Sequence, residues 1–395
     1  MGEKKSAHTR HPIEKGRLFL RESSGSGMDI PFFISVLLLL VFGLVMLYSV
    51  SYPVCYYTKG DGGYFVKRQL AFAVIGVVAM LFISRIDYHF LARKTILVGG
   101  YLGCLLLLGL VFLMPPINYA RRWILIPPNQ PILTFQPSEI AKIVVVLSCA
   151  YLGVLNENRI RTFHYGVSPF LALMFPIVAL VLPEPHLSGT LILFALTAIM
   201  MFCSGTDFKW FAIAVGTAGA LIAVILIVKP DLVPVVEDRI AMWQHPETDP
   251  TGKGMQTLQG LMAIGSGGLT GLGLGNSRQK YMYVPEPYND SIFAIVCEEL
   301  GFVGAVLILL LFVFFFVRGI YVALHARDRY GMLLTVGLIS QVMLQVVLNI
   351  LVVTNTVPYT GITLPFFSYG GTALVFVLAE MGLVLSVSRQ AGLPR

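Results

Sequence analysis

Charge is scarce in this sequence, and the places where it gathers are the places where chemistry could occur. Asp290 stands just before a long apolar run, with Arg278, Lys280 and Glu286 ahead of it and the pair Glu298-Glu299 about two turns beyond it. Carboxylates can take up a proton, and neighbouring cations can hold an anion. Adjacent glutamates inside an apolar segment are expensive unless they face protein or a water-filled cavity. Asp290 has two readings at this point. It is either an ordinary helix N-cap, a role Asn289 or Ser291 would fill equally well, or a general base.

A second charged group follows Asn118-Tyr-Ala-Arg121-Arg122-Trp123, where Phe135-Gln-Pro-Ser-Glu139 leads to Lys142. Ser138 is placed to cap the next helix, and Glu139 in its first turn meets the positive end of the helix dipole. Lys142 lies three residues on, on the same face. An unpaired lysine near the membrane centre costs about 2.5–3.5 kcal/mol, so a Glu139–Lys142 pair is favoured. That pair either fixes the helix end or lines a cavity. Glu184 and His186, in a short loop, have a site reading and a solvated-turn reading of equal weight.

These residues have to be positioned by membrane helices. The 395-residue chain is 56% hydrophobic and 12% charged, with a mean hydropathy of +0.78. A helix needs about 20 mainly apolar residues to span the hydrocarbon. Ten stretches qualify, near 31–51, 68–85, 95–115, 137–155, 166–183, 188–204, 209–229, 291–318, 331–354 and 369–388. The fold class is therefore an all-α polytopic membrane bundle. Residues 1–29 form a basic, flexible tail, and 30–395 a single transmembrane domain. Its long loop, about 230–290, falls between the seventh and eighth spans.

Orientation follows from Lys and Arg in the short loops. With the N-terminus inside, 17 of the 28 Lys and Arg lie on the cytoplasmic side. Both termini are then cytoplasmic and the long loop is outside. The net charge of +7 is mostly this topology signal, so it does not point to nucleic acid. The first apolar run is too long for a signal-peptide core and reads as a retained span. Five scattered cysteines without a C-x-x-C give little support to a metal or disulfide framework.

Within the long loop, Met255, Leu258 and Met262 recur at helical spacing opposite Gln256 and Gln259, which predicts an interfacial helix. The glycine run Gly265–Gly275 fits neither G-x-G-x-x-G nor a P-loop, so its glycines serve tight turns or close approach. Pro358 to Gly371 holds two prolines and three glycines in fourteen residues, with Ser368 among them. Such irregular backbone at membrane depth is tolerated where it is buried in protein or lines a polar cavity. An outer cavity holding carboxylates, Arg121, Arg122, Lys142, Arg278 and Lys280 suits an anionic ligand such as a lipid-linked phosphate. With pyrophosphate as leaving group, a sugar transferase needs only one base, whereas a glycosidase needs a second carboxyl as acid.

At these residues the chain resembles the SEDS family of polytopic peptidoglycan polymerases (FtsW, RodA, SpoVE). Four motifs carry the likeness: Arg121-Arg122-Trp123 with Phe135-Gln-Pro-Ser-Glu139-x-x-Lys142; Asp249-Pro-x-Gly-x-Gly with Gln256-x-x-Gln259 and Ala263-Ile-Gly-Ser-Gly-Gly268; Pro285-Glu-Pro-x-x-Asp290 with Glu298-Glu-Leu-Gly301; and Pro358-x-Thr-Gly-x-x-Leu-Pro-Phe-x-Ser-Tyr-Gly-Gly371. The Ser277-Arg-Gln-Lys280 wording is closer to the division and sporulation branch. Asn289 and Ser291 depart from the usual Thr and Phe, and His186 stands where an acid is frequent.

The resemblance implies an inverting glycosyltransferase that polymerises lipid II at the outer face of the bacterial cytoplasmic membrane. Asp290 is its implied catalytic aspartate. Glu139, Lys142, Glu286, Glu298 and Glu299 form a supporting charge network. Arg121, Arg122, Arg278, Lys280, Gln256, Gln259 and Ser368 are the implied substrate and pyrophosphate contacts. A divalent cation, Mg or Mn, is compatible with that chemistry. The implied partners are lipid II, membrane lipid, a class B penicillin-binding transpeptidase and other divisome or sporulation proteins. Two other functions compete: a lipid II flippase, which predicts polar groups along a path through the bilayer, and a scaffold whose buried charges are structural.

Overall fold

The computed structural model describes residues 27–115, 121–126, 133–184, 187–216, 237, 240–241, 243–249, 252, 254–281 and 283–391. Among the described residues, seven helices are long and apolar enough to cross a membrane. They are α1 (Ile30–Lys59), α2 (Tyr64–Ile83), α3 (Lys94–Val111), α4 (Pro137–Leu155), α9 (Ile292–Leu324), α10 (Arg329–Val353) and α11 (Thr372–Gln390). Between α4 and α9 lie α5 (Phe163–Gly166), the shorter apolar helices α6 (Ser168–Val181) and α7 (Leu187–Ser204), and α8 (Met255–Gly267). The chain is a multi-pass helical membrane protein. The expected span at 209–229 is helical over 208–216 and otherwise lies outside the described residues, as do most of the tail and much of the long loop.

Local signals explain several helix ends. Asp29 accepts a hydrogen bond from the Phe32 amide at 2.8 Å, starting α1. Gly60, at φ 71°, closes it in the left-handed conformation. Ser138 does not cap α4 as expected. The helix already begins at Pro137 and Gln136 occupies the cap position, because proline's fixed φ suits the first helical residue. The loop ahead of α4 carries a small antiparallel hairpin, β1 (Ile124–Ile126) against β2 (Leu133–Phe135).

The expected single helix over 291–318 is instead broken. α9 runs on to Leu324, and Gly301 inside it sits at φ 66°, ψ −170°, a region essentially reserved for glycine. The break frees backbone groups that lipid could not satisfy. The glycine run supplies their partners. Leu272 N donates to Glu298 O at 2.9 Å and Gly273 N to Glu299 O at 3.0 Å. Phe302 N donates to Gly268 O at 2.9 Å, and Val303 N to Leu269 O at 3.1 Å. A side chain on Gly271 would overlap the Glu299 carbonyl, which is why glycine is required there.

α8 forms over the expected residues but buries a different face. Gly260, Ala263 and Gly267 are its buried positions, and Met262 is exposed. A Cβ on Gly267 would overlap the Cys297 carbonyl, so the two backbones approach closely where α8 lies along α9.

Candidate active site beside Asp290

Asp290 is held by its main chain before its side chain does anything. Asn349, fully buried on α10, donates from Nδ2 to the Asp290 carbonyl at 2.7 Å and to the Ile362 carbonyl at 2.6 Å. Ser368 Oγ donates to the Asn289 carbonyl and accepts from Leu364 N at 2.8 Å. Tyr369 N donates to the Tyr288 carbonyl at 2.9 Å. Gln69 on α2 holds the far side of this loop, donating to the Ser368 carbonyl at 3.3 Å and accepting from Gly371 N at 3.0 Å. The irregular segment 358–371 is thus clamped between α2, α10 and the Asp290 turn.

The capping reading of Asp290 is overturned. Ser291 is the N-cap residue of α9, and the Asp290 carboxylate faces other elements. Gln256 of α8 donates from Nε2 to Oδ1 at 3.0 Å and to Ser291 Oγ at 3.0 Å. The Tyr359 hydroxyl donates to Oδ2. Burial holds the Asp290 carboxyl above the usual carboxylate range and the Glu286 charge adds to this, while the bonds from Tyr359 and Gln256 pull it down. Tyr359 is itself pushed up by burial and by the Asp290 charge, so it acts as a neutral donor. The expected site set missed Tyr359. The signal that could have found it is an aromatic hydroxyl beside Pro358 in a segment already marked as irregular.

Glu286, at φ 43°, is exposed, and its carboxylate accepts from Asn289 Nδ2 at 2.8 Å. Gln259 is half-buried one turn along α8 from Gln256. Glu139 and Lys142 form their pair at 2.8 Å, with the lysine buried. Glu139, Gln345, Ser368 and Tyr369 line one pocket beneath the Asp290 turn. Glu380 of α11, also unanticipated, is buried beside this pair and accepts from Gln341 Nε2 at 2.7 Å.

The remaining residues form two other groups. Glu298 and Glu299 are almost fully buried. Lys280 Nζ meets Glu299 Oε1 at 2.7 Å and donates to the Gly275 carbonyl at 2.6 Å. Ser49 of α1 donates to Glu299 at 2.7 Å, while Arg278 N donates to Glu298 Oε1 at 2.9 Å and Ser277 Oγ to its Oε2. Lys280 is therefore a buried anchor for the loop, and only Arg278 of this pair presents an exposed side chain. Arg121 is exposed, donating to the Phe112 carbonyl at 3.3 Å. Arg122 is half-buried and acts on Glu184, whose carboxyl burial pushes up to about 8. His186 lies outside the described residues.

A metal would find few protein ligands here. Among the described residues no three acidic, His or Cys groups gather into a metal site. Asp290 and Glu286 are the carboxylates at hand. A divalent cation beside them would complete its shell from water and substrate phosphate, as magnesium commonly does.

A broken-helix membrane bundle with one tethered carboxylate at a helix start narrows the class of protein, and comparison with known proteins narrows it further. The FtsW/RodA/SpoVE cell cycle protein family matches residues 30–392, and the chain belongs to that family. It is 40% identical to stage V sporulation protein E of Bacillus subtilis over 365 residues, 91% of this chain and 97% of that protein. It is 34% identical to the probable peptidoglycan glycosyltransferase FtsW of Geobacter metallireducens, covering 93% and 96%. Among solved structures, it matches a chain from a study of the structural coordination of polymerization and crosslinking by a peptidoglycan synthase complex. That match has a TM-score of 0.74 at 29% identity, over 92% of this chain and 98% of that one. The crystal structure of the rod shape determining protein RodA of Thermus thermophilus matches with TM-score 0.66 at 26% identity, over 93% and 98%.

Proposed function

We propose that the protein is a peptidoglycan glycosyltransferase that polymerises lipid II at the outer face of the bacterial cytoplasmic membrane. The observation carrying this reading is the Asp290 carboxylate, fixed by Gln256 and Tyr359 on a turn that α10 and segment 358–371 clamp from behind. Asp290 takes the proton from the acceptor sugar's 4-hydroxyl. The freed oxygen attacks the anomeric carbon of the donor from the face opposite its pyrophosphate. The new C–O bond forms as the bond to undecaprenyl pyrophosphate breaks, and the configuration inverts. Because the leaving group is already a good one, no second carboxyl has to protonate it. Partial burial lifts Asp290 toward the working pH, which makes it a more effective base than an exposed aspartate.

Arg121 and Arg278, both exposed, are the side chains we assign to the departing pyrophosphate. Lys280 is spent on Glu299 and supports the loop instead. The chain acts as one transmembrane unit over 30–395 behind a cytoplasmic tail, with both termini inside. Its protein partner is a class B penicillin-binding transpeptidase, in division or sporulation.

The test is polymer formation from lipid II by the purified protein with its transpeptidase, wild type against Asp290→Asn, with folding checked by thermal unfolding. Polymer from the wild type alone is the expected result. Equal polymer from both would move the base elsewhere.

A further inference from the structure

The Glu139–Lys142–Glu380 group carries one cation for two carboxylates, and it sits where α4, α10 and α11 meet. Lys142 is committed to Glu139 at 2.8 Å. Glu380 is 1% exposed. Its Oε1 accepts from Gln341 Nε2 at 2.7 Å, while its Oε2 has no partner, and neither has Gln341 Oε1 on the same amide. The charges acting on Glu380 are Lys142 and Glu139 of α4, and the side chain bonding it is Gln341 of α10. Two buried, unpartnered oxygens that can only accept therefore lie beside a surplus negative charge. Buried polar atoms are almost always satisfied, and an uncompensated buried charge is strongly unfavourable.

We propose that Glu380 and Gln341 form a binding site for a single small monovalent cation, a proton or an alkali ion such as sodium, held between the two unpartnered oxygens. Carboxylate and amide oxygens are hard donors suited to an alkali ion. A proton on Glu380 satisfies the same charge deficit. Either one takes the three-residue group from net −1 to neutral. Glu139 lines the pocket beneath the Asp290 turn, and the Glu380 charge acts on the Glu139–Lys142 pair from behind it, so loading the site changes the charge behind that pocket's wall. An anionic diphosphate donor would feel the change, a consequence that rests on the proposed function.

The experiment is thermal unfolding of the purified full-length protein, first in sodium against choline at constant ionic strength, then over a pH series in choline. An alkali site raises the wild-type Tm in sodium by about 2 °C or more. A proton site leaves sodium without effect, and the Tm falls as pH rises, because the native state loses its bound proton. In both cases Glu380→Gln abolishes the dependence. Gln341→Met, which keeps the carboxylate but removes one oxygen and the amide donor to Glu380, weakens the sodium response of an alkali site or moves the pH response of a proton site to higher pH, and reports on the site if Glu380→Gln fails to fold. Sodium and pH dependences that are the same in these variants as in wild type would overturn the proposal. Asp290→Asn is expected to keep the wild-type Tm response, so failure of the base assignment and failure of the cation site are read separately.

Discussion

Asp290 and the pair Glu298-Glu299 lie within ten residues of each other in sequence, yet they live in different worlds. Glu299 accepts from Ser49 and Lys280, and Glu298 from Ser277, Arg278 and Gln279. Both are buried, and every donor around them is committed. Asp290 is half-buried, and each of its oxygens has one side-chain donor contributed by another element. A carboxylate whose lone pairs are all engaged in a buried network serves as a fastener. One that is held in place by a few bonds and only partly buried can still receive a proton. The same functional group thus does two jobs, and the surrounding donors decide which.

The sharpest way to break this comparison is to cross the two sites. Asp290→Asn keeps the shape and removes the base, so polymerisation should fall by about 10²–10⁴-fold with little change in Tm. Lys280→Met does the reverse. It strands a buried Glu299 and should lower stability by about 3–5 kcal/mol, with activity lost only as the folded fraction falls. Replacing both Lys280 and Glu299 by leucine should recover much of that loss, since no uncompensated charge remains. Parallel thermal unfolding and polymerisation assays decide the matter. A Lys280→Met protein that is fully stable but inactive would put Lys280 back among the substrate contacts.

The break at Gly301 tests whether the fastener region is as structural as it looks. Gly301→Ala forces a side chain into the glycine-only backbone region and against the Gly271 amide. The backbone conformation alone costs about 1–3 kcal/mol. We expect a lower Tm and faster hydrogen exchange at the amides of Leu272 and Gly273, which bond the carbonyls just before the break. Unchanged exchange there would mean that the glycine run is not what satisfies the broken helix.

What could be read from sequence and what could not divides along the same line. Apolar length located seven of the ten expected spans among the described residues, and i,i+3 spacing was enough to pair Glu139 with Lys142 because both lie on one helix. Asp290 was visible because a charge at the edge of an apolar run needs a reason. The partners of Lys280, the hydroxyl of Tyr359 and the Gln341–Glu380 pair were not visible. Each joins elements far apart in the chain, for instance across 39 residues for Gln341 and 69 for Tyr359, and no local periodicity encodes such a meeting. Glu380 was overlooked because a single acid in an amphiphilic final helix carries no spacing signal. The break at Gly301 was hidden for a related reason: apart from Glu298-Glu299 the apolar run continues on both sides of it, and only the backbone conformation departs.

The smallest effect is also the most specific to the Asp290 side of the comparison. Tyr359 donates to the charged form of Asp290 and so lowers its pKa, opposing the burial that raises it. Tyr359→Phe removes that donor while keeping the ring. The Asp290 pKa should then rise, and since the base acts only when deprotonated, the acid limb of the pH–rate profile should move to higher pH by about one unit. At high pH the variant and wild type should converge, because both carboxylates are then ionised. Gln256→Leu should shift the limb the same way but less, since its bond lowers the carboxyl less than the one from Tyr359 does. A limb that stays put in both variants would mean that the titrating group is not Asp290. A limb that moves in Tyr359→Phe alone would mean that Gln256 serves the fold by tying α8 to Ser291 rather than tuning the base.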